Sequence, residues 1–332
     1  MEFGPVPLDQ AGGAILAHSA KAKGRKIAKG TVLGPKEIEA LAAEGFEEVV
    51  VARPGPEDVA EDLAAERLAR ALVPDPEEAG LMLTAPHAGR VNLKALGPGI
   101  ATIDVDKVHA LNRVDPAITL ATVAPHVRVA KGTLVGTVKI ISYAVPGAAL
   151  DTACAAAAGA LAVRPVALRS AGLMLTEVPG QAGTLNEKGR KAVEGRLRAL
   201  GIALADCVMV PHEREAMAAA LERLQGDVLL ILTGSATSDL HDDGPEAVRR
   251  AGGTVARFGM PVDPGNLLFH GKFGGRPVIG LPGCARSPAL NGADWVLERI
   301  ACGLDISDDD IAAMGVGGLL KEIPIRPQPR EG

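Results

Sequence analysis

The sequence predicts an α/β protein: a doubly wound, mostly parallel sheet in the C-terminal half, preceded by a smaller mixed α/β and β-rich N-terminal region. Three observations lead there. From Pro165 onward, strand-like apolar runs alternate with amphipathic helical segments, the rhythm of a parallel sheet covered on both faces. Between about Ala79 and Tyr143 the runs are shorter, β-prone and divided by Gly and Pro. The 332-residue chain carries 40 glycines and 24 prolines, mostly clustered between apolar runs where tight turns are needed.

Taken in order, residues 29–33 lead into a helix beginning near Pro35 and closed by Gly45, followed by a strand over 47–52. A second amphipathic helix is expected over 57–72, and PDPEE after it marks a boundary, giving a small helix and strand unit over 1–75. Residues 76–146 read as a small mixed or β-rich domain with one short helix over 106–112. The alanine-rich stretch within 147–164 reads as a connecting helix. The α/β domain follows over 165–304. Its strands are PVALRSAGLML, ALADCVMV, DVLLIL and PVIGL, and its helices place Val193, Leu197 and Leu200, then Met217, Leu221 and Leu224, on single faces. Residues 305–332 form a tail, expected to be extended or disordered from Glu322 on. The pentapeptide GLMLT occurs at both Gly80 to Thr84 and Gly172 to Thr176, but the flanks diverge at once and no repeat is inferred.

Length calls for at least two cores. No apolar stretch is long enough to cross a bilayer and the N-terminus has no basic, apolar signal architecture, so a cytoplasmic protein is expected. The four cysteines show no C-x-x-C spacing and no histidine pair has metal-ligand spacing, so neither a disulfide framework nor a zinc site is signalled. A formal charge of −5, basic residues interspersed with acidic ones, and 2% aromatic residues argue against nucleic acid as a partner.

Ligands of open parallel sheets bind beyond the carboxyl ends of strands, which directs attention to three loops. The first runs from Thr176 and Glu177 through Thr184 to Asn186 and precedes a helix. Small and hydroxylated residues there suit a phosphate, although an ordinary N-cap turn fits as well. The second follows DVLLIL and contains Thr233, Gly234, Ser235, Ser238, Asp239, His241, Asp242 and Asp243, with Pro245 at the start of a helix. Its hydroxyls and N–H groups could hold a phosphate or pterin edge while Asp242 or Asp243 holds magnesium. The alternative makes Asp243 a helix cap and Asp239 a turn residue. The third places Pro261, Pro264 and Gly265 before, and Pro282, Gly283, Arg286 and Ser287 after, the PVIGL strand, where Arg286 could pair with a phosphate and Ser287 is equally a simple N-cap. A P-loop, a G-x-S-x-G elbow and a paired-histidine helix are all absent.

Over roughly 165–304 these residues resemble the molybdopterin-binding domain shared by molybdopterin adenylyltransferases, molybdopterin molybdotransferases and gephyrin. LTGSATSDLHDDGPEAV is similar to the family's Thr-Gly-Gly loop leading to an Asp and a Pro-Glu-Ala helix, and GMPVDPGNLLFHGKFGGRPVIGLPGCARS to the molybdotransferase run ending in Leu-Pro-Gly. The chain departs from the pattern at Ser235, Cys284 and Ala285. It lacks the Asp-Gly-Tyr-Ala segment of molybdotransferases, its only tyrosine being Tyr143, and has LTEVPGQAG where adenylyltransferases carry Ser-Asp-Arg. These departures mark a divergent member.

The resemblance implies molybdopterin as cofactor, with Mg2+ and ATP or AMP in the adenylyl-transfer branch, and a role in molybdenum-cofactor biosynthesis by adenylyl transfer or molybdate insertion. It implies a pterin-phosphate site at Thr176, Thr184, Asn186, Thr233, Gly234, Ser235 and Ser238, with Glu177 and Ser287 beside them. Asp239 and Asp242 are the expected catalytic or electrostatic groups and Asp242 and Asp243 the expected metal ligands. The pterin would rest on Pro261, Pro264, Gly265, Pro282 and Gly283. A non-catalytic carrier serving a molybdoenzyme or a cofactor nucleotidyltransferase is the alternative. A nucleotide pyrophosphatase similar to the competence-damage-inducible family, suggested by His241 to Asp243, is the third reading. Homo-oligomers are common among such proteins.

Overall fold

The structure, a computed structural model, describes residues 1–22, 24–180 and 183–320. The chain divides into two compact units, one of residues 1–97 and 101–163, the other of 98–100 and 164 onward. Gln181 and Ala182 of the first candidate loop, and the segment from Glu322 expected to be extended, lie outside the described residues. Among the described residues no helix is long and apolar enough to cross a membrane.

The first unit opens with a three-stranded sheet in which Glu48–Arg53 is paired antiparallel with Glu2–Pro7 and Ile15–Leu16. Its alternating Val49 and Val51 pack with Leu8, Leu16, Leu33 and Leu41. Leu41 comes from the helix Pro35–Ala43, which starts on Pro35 as first-turn prolines favour, and whose Glu37 side chain accepts the Gly34 N–H at 3.0 Å. The hairpin Ala20–Ala22 and Arg25–Ile27 sets Lys21 directly opposite Lys26. Lys21, Arg25, Lys26 and Lys29 are all exposed, with no acidic residue between Asp9 and Glu37. The expectation of basic residues interspersed with acidic ones therefore fails at this hairpin.

The rest of the unit is built on a four-stranded antiparallel sheet in the order Ile118–Thr122, Leu134–Ile140, Arg90–Ala95, Leu81–Leu83. The helix Glu61–Leu72 buries Leu68 and Leu72 against it, with Leu93, Ile118, Val138 and Ile140. The sequence groups this helix with the N-terminal unit, yet its apolar face belongs to the later core. It also begins after residue 57, because Asp58–Ala60 is drawn into a two-stranded pairing with Ala144–Pro146. The alanine-rich stretch is a helix only over Gly147–Ala156; Gly159, with φ of 64°, breaks it before the strand Leu161–Pro165.

The second unit carries a six-stranded sheet in the order Ala203–Pro211, Ser170–Glu177, Val228–Leu232, Arg276–Leu281, Phe269–Phe273, Thr254–Phe258. The first four strands are parallel, and Phe269–Phe273 runs antiparallel to both of its neighbours. One face is covered by Gly183–Ala199 and Gly292–Ala301 through Val193, Leu197, Val296 and Leu297; the other by Arg214–Arg223 and Asp243–Arg250 through Met217, Leu221 and Val248. The two strands over 254–273 do not stand out in the sequence. Gly271 interrupts the apolar pattern of one of them because the Thr254 carbonyl occupies the space a Cβ would need, and on the adjoining strand Gly280 leaves room for Phe269, where a Cβ would lie 1.9 Å from Cε1. The expected tail begins instead with a helix, Asp308–Ala313, whose Ile311 joins the core.

From Ser170–Glu177 the chain moves outward to Ala203–Pro211 and then returns across the sheet to Val228–Leu232. That reversal opens a crevice at the carboxyl ends of Ser170–Glu177 and Val228–Leu232.

Candidate functional site

At the crevice the two central strands are tied by a side chain. Thr176, fully buried at the end of its strand, accepts the Gly234 N–H at Oγ1 over 2.7 Å. The same Oγ1 lies 2.9 Å from His212 Nδ1, at the end of the neighbouring strand, and the His212 N–H donates to Glu177 O at 2.9 Å. On the other side of Thr176, the Asn186 amide reaches Thr176 O at 3.4 Å from the helix Gly183–Ala199, while its buried Oδ1 has no partner. Thr176, Asn186, Thr233 and Gly234, four of the expected site residues, are thus brought together.

The loop beyond Gly234 is held at its far end by Asp242, which caps the helix Asp243–Arg250. Its carboxylate accepts Ser238 N at 2.8 Å, Ser238 Oγ at 3.2 Å and Asp243 N at 2.7 Å. Burial alone would raise the Asp242 carboxyl, but these hydrogen bonds, with His212 adding to them, hold it below the ordinary carboxylate range. Asp243 accepts Arg214 Nε at 2.6 Å and lies 3.7 Å from His212 Nε2. Asp239 accepts the His241 N–H at 2.8 Å, the turn role that the sequence offers as its alternative. Among the described residues no group of three or more His, Cys, Asp or Glu side chains is placed to hold a metal ion. The pair Asp242 and Asp243 expected as metal ligands is instead committed to a helix cap and to an arginine.

Under the crevice lies Arg286, 8% exposed, donating from Nη2 to Thr233 O at 2.5 Å. Burial pushes its guanidinium down, and its buried Nε has no partner. Arg286 lines a cavity of 620 Å³ together with Thr184, Glu187, Lys188, Lys191 and Pro288, beside the N-terminal turns of Gly183–Ala199. Gly189 lets that helix approach closely, since a Cβ there would be 2.6 Å from Leu232 Cδ2. A buried guanidinium, Lys188 and a helix N-terminus make a wall suited to an anion, with Lys191 beside them paired to Glu187 of the same lining at 3.4 Å.

Other expected residues do not line this cavity. Pro264 and Gly265 are buried against the start of Gly292–Ala301, where Gly292 N donates to Pro264 O at 2.8 Å and a Cβ on Gly265 would meet Gly292 Cα at 2.8 Å. Pro261 packs on Gly315, Pro282 is buried ahead of the turn Gly283–Arg286, and the Ser287 carbonyl accepts Arg196 Nη2 at 2.8 Å. Ser235 and Ala236 stand exposed. His212, Arg214 and Lys188 do not stand out in the sequence, because each lies in a helix-start or helix pattern where a solvated charge is the ordinary reading.

Residues 171–300 match the family model described as "Probable molybdopterin binding domain", and residues 5–53 match one described as a domain of unknown function (DUF8806). No curated protein matches the chain. Among solved structures, the molybdopterin biosynthesis moea protein from Pyrococcus horikosii aligns at 14% identity over 91% of this chain and 76% of its own, with a TM-score of 0.32. A molybdenum cofactor biosynthesis protein from Pyrococcus furiosus aligns at 12% identity over 90% of this chain and 61% of its own, with a TM-score of 0.23. The molybdopterin biosynthesis enzyme MoaB from Thermus theromophilus aligns at 18% identity over 41% of this chain and 98% of its own, with a TM-score of 0.25. The family model carries the likeness: residues 171–300 of the second unit match the probable molybdopterin-binding domain, and divergently so.

Proposed function

We propose that the second unit binds molybdopterin at the crevice between Ser170–Glu177 and Val228–Leu232 and serves molybdenum-cofactor biosynthesis as a carrier that presents the cofactor to a later enzyme. The observation that supports this reading is Arg286, a nearly buried cation with an unpaired Nε beneath a cavity that also offers Lys188, Lys191 and Thr184. Buried donors without partners are rare and signal a missing water, ion or ligand. The donor set fits a phosphate-bearing ligand, with Arg286 and Lys188 holding the phosphate, Lys191 shared with Glu187, and Thr184 beside it. Molybdopterin, when bound, would supply the dithiolene that carries molybdenum.

The same geometry does not fit a magnesium site at Asp242 and Asp243, whose carboxylates are engaged by Ser238, the Asp243 amide and Arg214. We therefore favour binding and transfer over adenylation, and derive no step through a metal.

Calorimetry of molybdopterin binding, with and without MgATP, tests the reading on the wild type and on a Lys188→Glu/Lys191→Glu variant. Binding by the wild type, weakened about tenfold or more by reversing the two exposed charges, with no adenylated product, is the expected result. Absence of binding would remove molybdopterin as the ligand, and adenylation at enzymatic rates would replace the carrier with a transferase.

A further inference from the structure

The contacts around Thr176 form an ordered chain. Thr176 Oγ1 accepts the Gly234 N–H, and because the hydroxyl is fully buried its own proton also needs an acceptor, which His212 Nδ1 at 2.9 Å supplies. That assigns Nδ1 as the acceptor and puts the ring proton on Nε2, which faces Asp243 Oδ2 at 3.7 Å, an electrostatic contact too long for a hydrogen bond. Asp243 is itself oriented by Arg214.

A hydroxyl, an imidazole and a carboxylate in line resemble a nucleophile with its base. Two facts oppose that role: the Thr176 side chain is fully buried, and its oxygen already holds a backbone amide. The chain acts in the other direction. Without an acceptor at Nδ1, the Thr176 proton would have no partner there and the hydroxyl would be free to turn away from Gly234.

We propose that His212 is a positioning residue of the crevice: through the Thr176 hydroxyl it fixes the Gly234 amide and so the exit of the Val228–Leu232 strand into its loop. The claim about Gly234 stands on these contacts alone, and its effect on affinity rests on the molybdopterin reading.

The test compares His212→Asn, His212→Gln and Thr176→Val in the full chain, each checked for cooperative unfolding. Asn can present an oxygen where Nδ1 sits; Gln reaches farther along the ring and cannot. Hydrogen exchange of the Gly234 amide should quicken about tenfold in His212→Gln and in Thr176→Val, and stay within about twofold of wild type in His212→Asn. The His212→Gln/Thr176→Val double variant should exchange no faster than either single, as expected for one shared interaction. Molybdopterin affinity should follow the same order. Unchanged exchange in His212→Gln, a folded His212→Asn that exchanges as fast as His212→Gln, or additive singles would overturn the proposal. A wild type that binds no molybdopterin while its exchange pattern holds would support the positioning role and sink only the ligand assignment.

Discussion

Arg196 and Asp294 form a buried ion pair, Nε to Oδ1 at 2.5 Å, that joins the two helices on one face of the second unit's sheet. Arg196 also donates to the carbonyls of Ala285, Ser287 and Ala289, at 2.8, 2.8 and 3.1 Å, and so holds the segment that carries Arg286. Arg196→Met would leave the Asp294 carboxylate without its cation, holding only the Asn291 N–H, and those carbonyls unpaired, and should destabilise the unit by about 3–5 kcal/mol. Urea unfolding measures this, and a loss under about 1 kcal/mol would show that the network is not what secures the segment.

Two glycines of one helix should respond oppositely to alanine. A Cβ on Gly195 meets nothing within 4 Å, whereas one on Gly189 would press on Leu232 Cδ2 at 2.6 Å and Arg286 Cγ at 3.3 Å. Gly195→Ala should gain about 0.5–1 kcal/mol from helix propensity. Gly189→Ala should lose about 1–3 kcal/mol to overpacking, less that same gain. Paired melting curves decide the matter, and equal shifts of the same sign would mean that the close approach at Leu232 relaxes freely.

Stability should fall on mild acidification because of His270. Burial lowers its imidazole below the ordinary 6.5, with Asp308 opposing and Arg257 reinforcing the shift. Between the lowered folded value and 6.5 the unfolded chain binds more protons, so the contribution is complete above 6.5 and is lost progressively as pH falls below it. Urea midpoints at several pH values between about 7.5 and 5 should show a smaller pH dependence in His270→Phe than in wild type. Identical slopes would count against the burial.

Thiol reactivity should separate two cysteines. Cys302 is 2% exposed, and burial, with Glu298 nearby, pushes its thiol up to about 11. Cys284 is exposed on the turn beside Arg286, its Sγ 3.1 Å from Asn291 Nδ2. Iodoacetamide at about pH 8, read by peptide mass spectrometry, should modify Cys284 in the folded protein and reach Cys302 only after denaturation. Early labelling of Cys302 would show that its surroundings open readily.

The alternating architecture of the second unit is legible because each central strand is a continuous apolar run, as in DVLLIL, bounded by turn residues. The edge of that sheet is not, since Gly271 and Gly280 make room for neighbouring backbone and for Phe269, a requirement set by tertiary packing that no local pattern announces. The loop residues Thr176, Thr233 and Gly234 can be found because hydroxyls and glycine follow apolar strands directly. Their wiring is hidden: His212 and Arg214 open a helix-like sequence, and only the return of the chain across the sheet brings them to Thr176 and Asp243. The cap that the sequence offers at Asp243 falls instead on Asp242, because the Ser238 and Asp243 amides point at the Asp242 carboxylate.

The loop after Val228–Leu232 is held from outside at its start, by Thr176 at Gly234 and Arg286 at Thr233, and by its own last residue, Asp242, at Ser238. Ser235 and Ala236 stand exposed between these anchors and take no part in them. A segment whose path is fixed by its neighbours can exchange its own residues at little cost to the fold. Substitutions at these two positions should therefore leave the fold of the loop unchanged.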